Sequence, residues 1–256
     1  MAAIDISPDG STLAAIQEGV IEFFSTETGT RTGRFYAPDS IDAQFIYNPA
    51  EPIFAENSRY PPIHLRRISN GTLIHALDWG QPGGYRYIEA MAFSNDGTLI
   101  AASVYRSIRL WRVSDGTLLD IIPLENGAEV LAFSPDDTLL AAGLRSERID
   151  LWHVDTGQLV KTLAEDEEQP VYKPIDDIAF SPDGAFLAVG RSGRLVRVWR
   201  LSDNALVASF EMGWPLTQRP VHVDFSPDGT VLALADWDGP IRLVNFETLL
   251  DVYSTD

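Results

Sequence analysis

One tetrapeptide constrains how this chain can fold. Ser-Pro-Asp-Gly occurs at 7–10, 181–184 and 226–229, with Ser-Asn-Asp-Gly at 94–97 and Ser-Pro-Asp-Asp at 134–137. A sixth, degenerate copy lies at Asn48-Pro49, where FIYNPAEPIFA imitates AFSPDGAFLAV. The serine-equivalent positions are therefore 7, 48, 94, 134, 181 and 226, 40 to 47 residues apart, and the repeat consumes all 256 residues.

Within one unit the local chemistry is legible, and residues 176–210 show it best. Ile178 and Phe180 alternate with small or polar neighbours and then meet Ser181-Pro182-Asp183-Gly184. There proline presets φ, aspartate caps the local backbone and glycine accepts positive φ, which makes a hairpin turn. The next strand, Phe186 to Gly190, is almost wholly apolar, as a strand covered on both faces must be. A loop at Arg191–Arg194 leads to a third strand, Leu195 to Trp199, and a turn near Ser202–Asn204 to a fourth, Leu206 to Phe210. The same pattern recurs at 106–122, 148–163 and 240–255. A period of roughly 40–45 residues with four short strands is that of a propeller blade. The expected fold is all-β: a β-propeller of about six four-stranded antiparallel blades, with a seventh allowed if the chain is a fragment. A single domain over 1–256 is expected, its blades near 1–37, 38–82, 83–125, 126–168, 169–215 and 216–256, each one continuous segment.

The chain resembles the WD-repeat family of β-propellers in its divergent, bacterial-style form. The resemblance rests on the F-S-P-D-G turn, the L-A-x-G/S strand after it, and the [IV]-[RD]-[LV]-W strand ending in Trp111, Trp152 and Trp199. Arg112, His153 and Arg200 stand where the family usually has aspartate after that tryptophan, and no Gly-His pair precedes any blade. The resemblance implies a non-enzymatic scaffold that binds a protein or peptide through one loop face. Trp111, Trp152 and Trp199, at one repeat position, are expected in the core.

Composition excludes several other functions. Nineteen Lys and Arg against 37 Asp and Glu give a net charge of −18, which repels nucleic acid and anionic lipid. No cysteine is present, so disulfides, thiolate metal sites and cysteine nucleophiles are out. No stretch approaches the roughly 20 apolar residues of a membrane span, and MAAIDISPDG lacks the regions of a signal peptide. A cytoplasmic monomer, without cofactor, metal, nucleic acid or membrane as partner, is the expectation. His64, His75, His153 and His222 are scattered without metal-pair spacing, and neither a G-x-S-x-G elbow nor a Walker A loop occurs. The repeated Asp-Gly pairs fit turn chemistry better than calcium loops.

Two sets of residues are candidates for binding. The loop between second and third strands, which in the family lies beside the channel on the narrower face, carries Arg59, Arg106, Arg145 and Arg191 in four consecutive repeats. Converging guanidiniums would suit a carboxylate or phosphate, which makes an anionic ligand, or an enzymatic channel mouth, the alternative function. A sensor or substrate-gating module of a larger protein is a further one. The second set is aromatic and does not recur: Trp79, Tyr85 and Tyr87 in one long connection, Trp214 in another, and Trp237 in the loop of the last repeat. Tryptophan, tyrosine and arginine dominate binding hot spots. The run Glu165-Asp166-Glu167-Glu168 is read as a solvated connection that could steer a basic partner.

Overall fold

Each Ser-Pro-Asp-Gly turn is a closed hydrogen-bonded knot, and this explains why it recurs. The computed structural model describes residues 3–17, 20–36, 44–57, 62–78, 88–146, 148–164, 174–193, 195–212, 221–236 and 239–253. In five turns the serine hydroxyl donates to the aspartate two residues on, at 2.5 to 2.7 Å, from Ser7–Asp9 through Ser226–Asp228. The same hydroxyl accepts the amide of the first residue of the following strand, as in Phe186 N to Ser181 Oγ at 2.9 Å. The residue after the aspartate has positive φ, which glycine supplies at 10, 97, 184 and 229 and Asp137 at the fourth turn. These hydrogen bonds hold the aspartates below the usual carboxylate range, Asp9 and Asp228 at about 2. Their carboxylates are thus occupied as caps, as the turn reading expected. In the degenerate second repeat, Asn48 Oδ1 replaces the aspartate by accepting the amides of Ala50 and Glu51.

The turns link strands into six antiparallel sheets, in two compact units, Met1–Glu125 and Asn126–Asp256. The division falls between the third and fourth blades. In the first unit, blade one is β1 (Ala3–Ile6), β2 (Thr12–Gln17), β3 (Val20–Ser25) and β4 (Arg31–Tyr36). Blade two is β5 (Phe45–Tyr47), β6 (Ile53–Asn57), β7 (Ile63–Arg67) and β8 (Leu73–Leu77). Blade three is β9 (Ile88–Phe93), β10 (Leu99–Val104), β11 (Ser107–Arg112) and β12 (Leu118–Pro123). In the second unit, blade four is β13 (Ala128–Phe133), β14 (Leu139–Leu144), β15 (Ile149–His153) and β16 (Gln158–Leu163). Blade five is β17 (Ile175–Phe180), β18 (Phe186–Arg191), β19 (Leu195–Arg200) and β20 (Ala205–Glu211). Blade six is β21 (Val221–Phe225), β22 (Val231–Asp236) and β23 (Arg242–Asn245), followed by α1 (Phe246–Tyr253). All six first strands end at the positions expected from the repeat.

Blade six departs from expectation, since its fourth strand is replaced by α1. In blades one to five, the chain turns after the third strand through a residue with positive φ: Gly29, Gly71, Gly116, Gly157 or Asn204. After β23 the sequence is Phe246-Glu247-Thr248-Leu249, and no residue there adopts positive φ cheaply. Asn245 instead caps a helix, its Oδ1 accepting the Thr248 amide at 2.9 Å, with Glu247 in the first turn. Phe246 and Leu249 then join the apolar core between blades five and six. No described helix is long and apolar enough to cross a membrane.

The cores lie between neighbouring sheets within each unit. Trp199, 6% exposed, packs with Ile149, Leu151 and Leu163 of blade four as well as Ile178 and Leu187 of its own blade. Trp111 and Trp152 are buried too, as expected. Just ahead of each tryptophan the register with the fourth strand shifts by one residue, at Leu110/Trp111, Leu151/Trp152 and Val198/Trp199. Such bulges sharpen strand twist. The close approach of blades five and six requires Gly190, where a Cβ would lie 2.2 Å from the carbonyl oxygen of Val221.

Candidate functional site

Of the nine residues expected to bind, Arg106, Arg145 and Arg191 belong to the described residues. Arg59, Trp79, Tyr85, Tyr87, Trp214 and Trp237 lie outside them, as does the acidic run 165–168. In the first unit, Arg106 is exposed in a tight turn between β10 and β11, where Tyr105 takes positive φ. In the second unit, Arg145 is exposed after β14, its Nε 3.5 Å from Glu129 Oε1 of β13. Arg191 corrects the expectation of an exposed loop, for it is the last residue of β18 and only 3% exposed. Its backbone pairs with Ile175 on one side and Leu195 on the other, so sheet pairing runs one residue further than the repeat suggests.

Near Arg145 and Arg191 the second unit gathers acids on its first strands. First strands β13, β17 and β21 run side by side and contribute Glu129, Asp176, Asp177, His222 and Asp224. Asp176 accepts the Ser192 hydroxyl at 2.8 Å and the Val221 amide at 3.2 Å. Asp177 accepts the Val223 amide at 3.1 Å and lies 3.4 Å from His222 Nδ1. Two adjacent carboxylates of blade five thus hold the backbone of blade six. Burial pushes the carboxyls of Asp176, Glu129 and Asp224 above their ordinary range, the first despite its hydrogen bonds and the second despite Arg145. The hydrogen bond to Asp177 pulls His222 upward, against the effect of its partial burial. A signal was present in the sequence: an acid stands five residues before the anchor serine at Glu89, Glu129 and Asp176.

This arrangement favours holding over bond-making. The Ser192 hydroxyl goes to a carboxylate and not to an imidazole, so nothing there activates it as a nucleophile. Among the described residues no three His, Asp or Glu side chains are grouped to hold a metal ion. In the first unit, buried Glu56 accepts from Arg66 Nε at 3.1 Å and lies 3.0 Å from His64 Nδ1, a cluster internal to blade two. Asp150 of blade four, also buried, accepts the Thr162 hydroxyl at 2.7 Å and pairs with Arg148. Both tie neighbouring strands together, since a buried carboxylate is tolerated only when paired.

The turn side is not smooth either. A groove of about 550 Å³ opens in the second unit between the turns of blades five and six, lined by Pro182, Asp183, Phe186, Gly229, Phe246 and Leu250. One of about 390 Å³ lies between the turns of blades one and two, near Pro8, Asp9, Glu51 and Ile68.

Comparison with known proteins agrees with this architecture. Residues 72–112 and 157–200 match the family model described as WD domain, G-beta repeat. Each match starts at the outer strand of one blade and ends at the residue after the tryptophan in the next, Arg112 or Arg200. The chain is 34% identical over 68 residues to WD repeat and SOCS box-containing protein 1 of Mus musculus, and 32% identical to its Homo sapiens counterpart. Each alignment covers 26% of this chain and 16% of the relative, so the chain matches under a fifth of the length of these proteins. WD-repeat proteins are generally non-enzymatic and typically mediate protein–protein interaction. Each unit thus holds one segment similar to the WD repeat, together with three antiparallel blades.

Proposed function

We propose that this chain is a non-enzymatic interaction module that binds a protein or peptide at the loop end of its second unit. The observation that carries the reading is the mixed-charge surface there: exposed Arg145 beside Glu129 and exposed His222 beside Asp177, with Asp176 near both Glu129 and His222, and Asp224 near Asp177. A surface bearing both signs at close spacing suits a polypeptide with complementary groups. A lone carboxylate or phosphate would meet four carboxylates for each exposed arginine, and Arg191 is buried. The anionic-ligand alternative therefore ranks second. By sequence position, Trp214 and Trp237 are proposed as hot-spot aromatics for the same partner, and Arg106 and Arg59 as further contacts. Trp79, Tyr85 and Tyr87 are proposed as further contacts. A monomer that engages neither nucleic acid nor membrane, placed in the cytoplasm, completes the proposal; the net charge of −18 supports the first part.

The test is affinity capture followed by titration of the partner recovered. Trp214→Ala, Trp237→Ala and the pair Arg145→Glu with His222→Ala should each weaken binding at least tenfold, the charge variants less so at high salt. Glu247→Lys, beside the turn-side groove, should leave it unchanged. The opposite ranking would move the binding site to the turn side.

A further inference from the structure

Among the described residues the third strands of blades two, three and five end in arginine, and the arginine of blade two is left without an acid. In blades three and five the aspartate three residues on supplies it: Arg112 meets Asp115 at 3.0 Å and Arg200 meets Asp203 at 2.8 Å. Each aspartate has two oxygens to offer, and its Oδ1 also accepts the amide of Thr117 or Ala205 and closes the turn. In blade two the corresponding residue is Asn70. Its one side-chain oxygen accepts both the amide and the hydroxyl of Thr72, at 3.0 and 2.6 Å, and its side-chain nitrogen can only donate. Nothing in the turn remains to accept from the Arg67 guanidinium, which is exposed and has no hydrogen-bond or ion-pair partner among the described residues.

Arg67 lines a groove of about 450 Å³ in the first unit, between the turn ends of blades two and three. Ile53, Ile74 and Leu99 supply its apolar part, and Arg112 lines it as well. Asn48 Nδ2 donates to the Gly97 carbonyl at 2.7 Å, so the two turns that flank the groove are tied together before anything binds. Glu51 and Asp96 also line it, and Asp96 is already engaged as the cap for Ser94 and Thr98. The grooves between blades one and two and between blades five and six are lined by acids and by no basic residue. We propose that the groove of blades two and three binds an extended segment of a partner protein, with an aspartate or glutamate of that segment on Arg67 and a large apolar side chain against Ile53, Ile74 and Leu99. The carboxylate takes the place that Asp115 and Asp203 hold in blades three and five, and a guanidinium can meet it with two parallel hydrogen bonds. Exposed Glu51 limits the segment to a single acid by repelling a second. An exposed ion pair is weak on its own, so the apolar contact supplies affinity and the arginine selectivity. This groove belongs to the first unit, so its failure to bind would leave the proposed loop-end site of the second unit untouched.

The probe is the peptide acetyl-Leu-Asp-Leu-amide, titrated into the full chain and followed by the NMR signals of the Ile53 and Ile74 methyl groups and of Arg67 Nε. Saturable shifts are expected. Asparagine in place of the probe's aspartate, or Arg67→Gln in the protein, should weaken binding about three- to fivefold, the worth of an exposed ion pair. Serine in place of both leucines should abolish it. Asn70→Asp gives the chain its own acid and should weaken binding by the same factor. In the Arg67→Gln background Asn70→Asp should have no further effect, whereas plain repulsion by the added charge would persist there. Circular dichroism should show all variants folded. Absence of saturable shifts would overturn the proposal, as would equal binding of the asparagine probe or an Asn70→Asp effect that survives without Arg67. Inorganic phosphate that displaced the probe at equal concentration would also overturn it, by making a free anion the occupant.

Discussion

Trp199→Ala measures how much of the fold rests on one recurrent residue. The indole lies between blades four and five, against Ile149, Leu151, Leu163, Ile178 and Leu187. A buried tryptophan removes about 150–250 Å² from water. At about 25 cal/mol/Å² this corresponds to about 4–6 kcal/mol. That is an upper bound, because a real unfolded chain already covers part of the area. Large-to-small core substitutions cost about 3–5 kcal/mol in practice. A loss of about 4 kcal/mol is therefore expected, against a typical domain stability of about 5–15 kcal/mol. Urea unfolding followed by far-ultraviolet circular dichroism is the assay, since the substitution itself removes one of the six tryptophans that fluorescence would report. With a urea slope of about 2 kcal/mol/M the midpoint should fall by about 2 M. Trp199→Phe should recover part of the loss. Leu206→Ala, on the exposed outer strand, should shift the midpoint by less than about 0.5 M, as surface substitutions do. A midpoint for Trp199→Ala no lower than that of Leu206→Ala would refute the assignment of this residue to the space between blades.

Gly190→Ala should destabilise by about 1–3 kcal/mol, read as a lower calorimetric midpoint, because its Cβ would meet the backbone of Val221 and not a yielding side chain. Asp228, held at about 2 by Ser226 and Thr230, contributes stability that is present above the unfolded value of about 3.9 and is lost as pH falls through about 2. Asp228→Asn should accordingly lower the melting temperature at pH 7 and have no effect once the wild-type carboxylate is protonated; a carboxyl NMR titration near 3.9 would contradict this. His222 has the opposite sign: its pairing with Asp177 contributes fully below about 6.5 and is lost as pH rises through the elevated folded value. In Asp177→Asn the imidazole NMR midpoint should drop toward 6.5, and an unmoved midpoint would show that the pair does not set it.

The repeated turn located all six first strands because its hydrogen-bonded cap, built on Ser and Asp in five repeats and on Asn48 in the second, admits few alternatives. Trp111, Trp152 and Trp199 were legible as core for the same reason, recurring at one position of a fixed register. The helix at Phe246–Tyr253 falls where the repeat predicts a fourth strand, because the apolar spacing of Leu249, Leu250 and Val252 suits a strand and a short amphipathic helix alike. The residue that decided it was Asn245, a helix cap where each other blade has a left-handed residue four positions later. At the candidate site the loop position of Arg145 is legible from the repeat, and so is an acid five residues before the anchor serine at Glu129; that the two meet across β13 and β14 is not, because spacing along the chain does not show which side chains pair. Arg191 was misplaced by a single residue of strand length, which sufficed to turn a surface cation into a buried one.

The matched repeats begin one strand before the blade to which they give most of their residues. Residues 157–200 carry the outer strand of blade four and the three inner strands of blade five. The segment that could be copied in a gene is therefore not the piece that folds as a sheet. Duplicating such a segment would lengthen the protein by one whole blade while giving each copy a strand embedded in its predecessor, like shingles nailed through the row below. Deleting one would close the gap the same way, with no half-sheet left at the junction. Variation in blade number among descendants of such a chain costs no new edge, provided the last row finds something to overlap it.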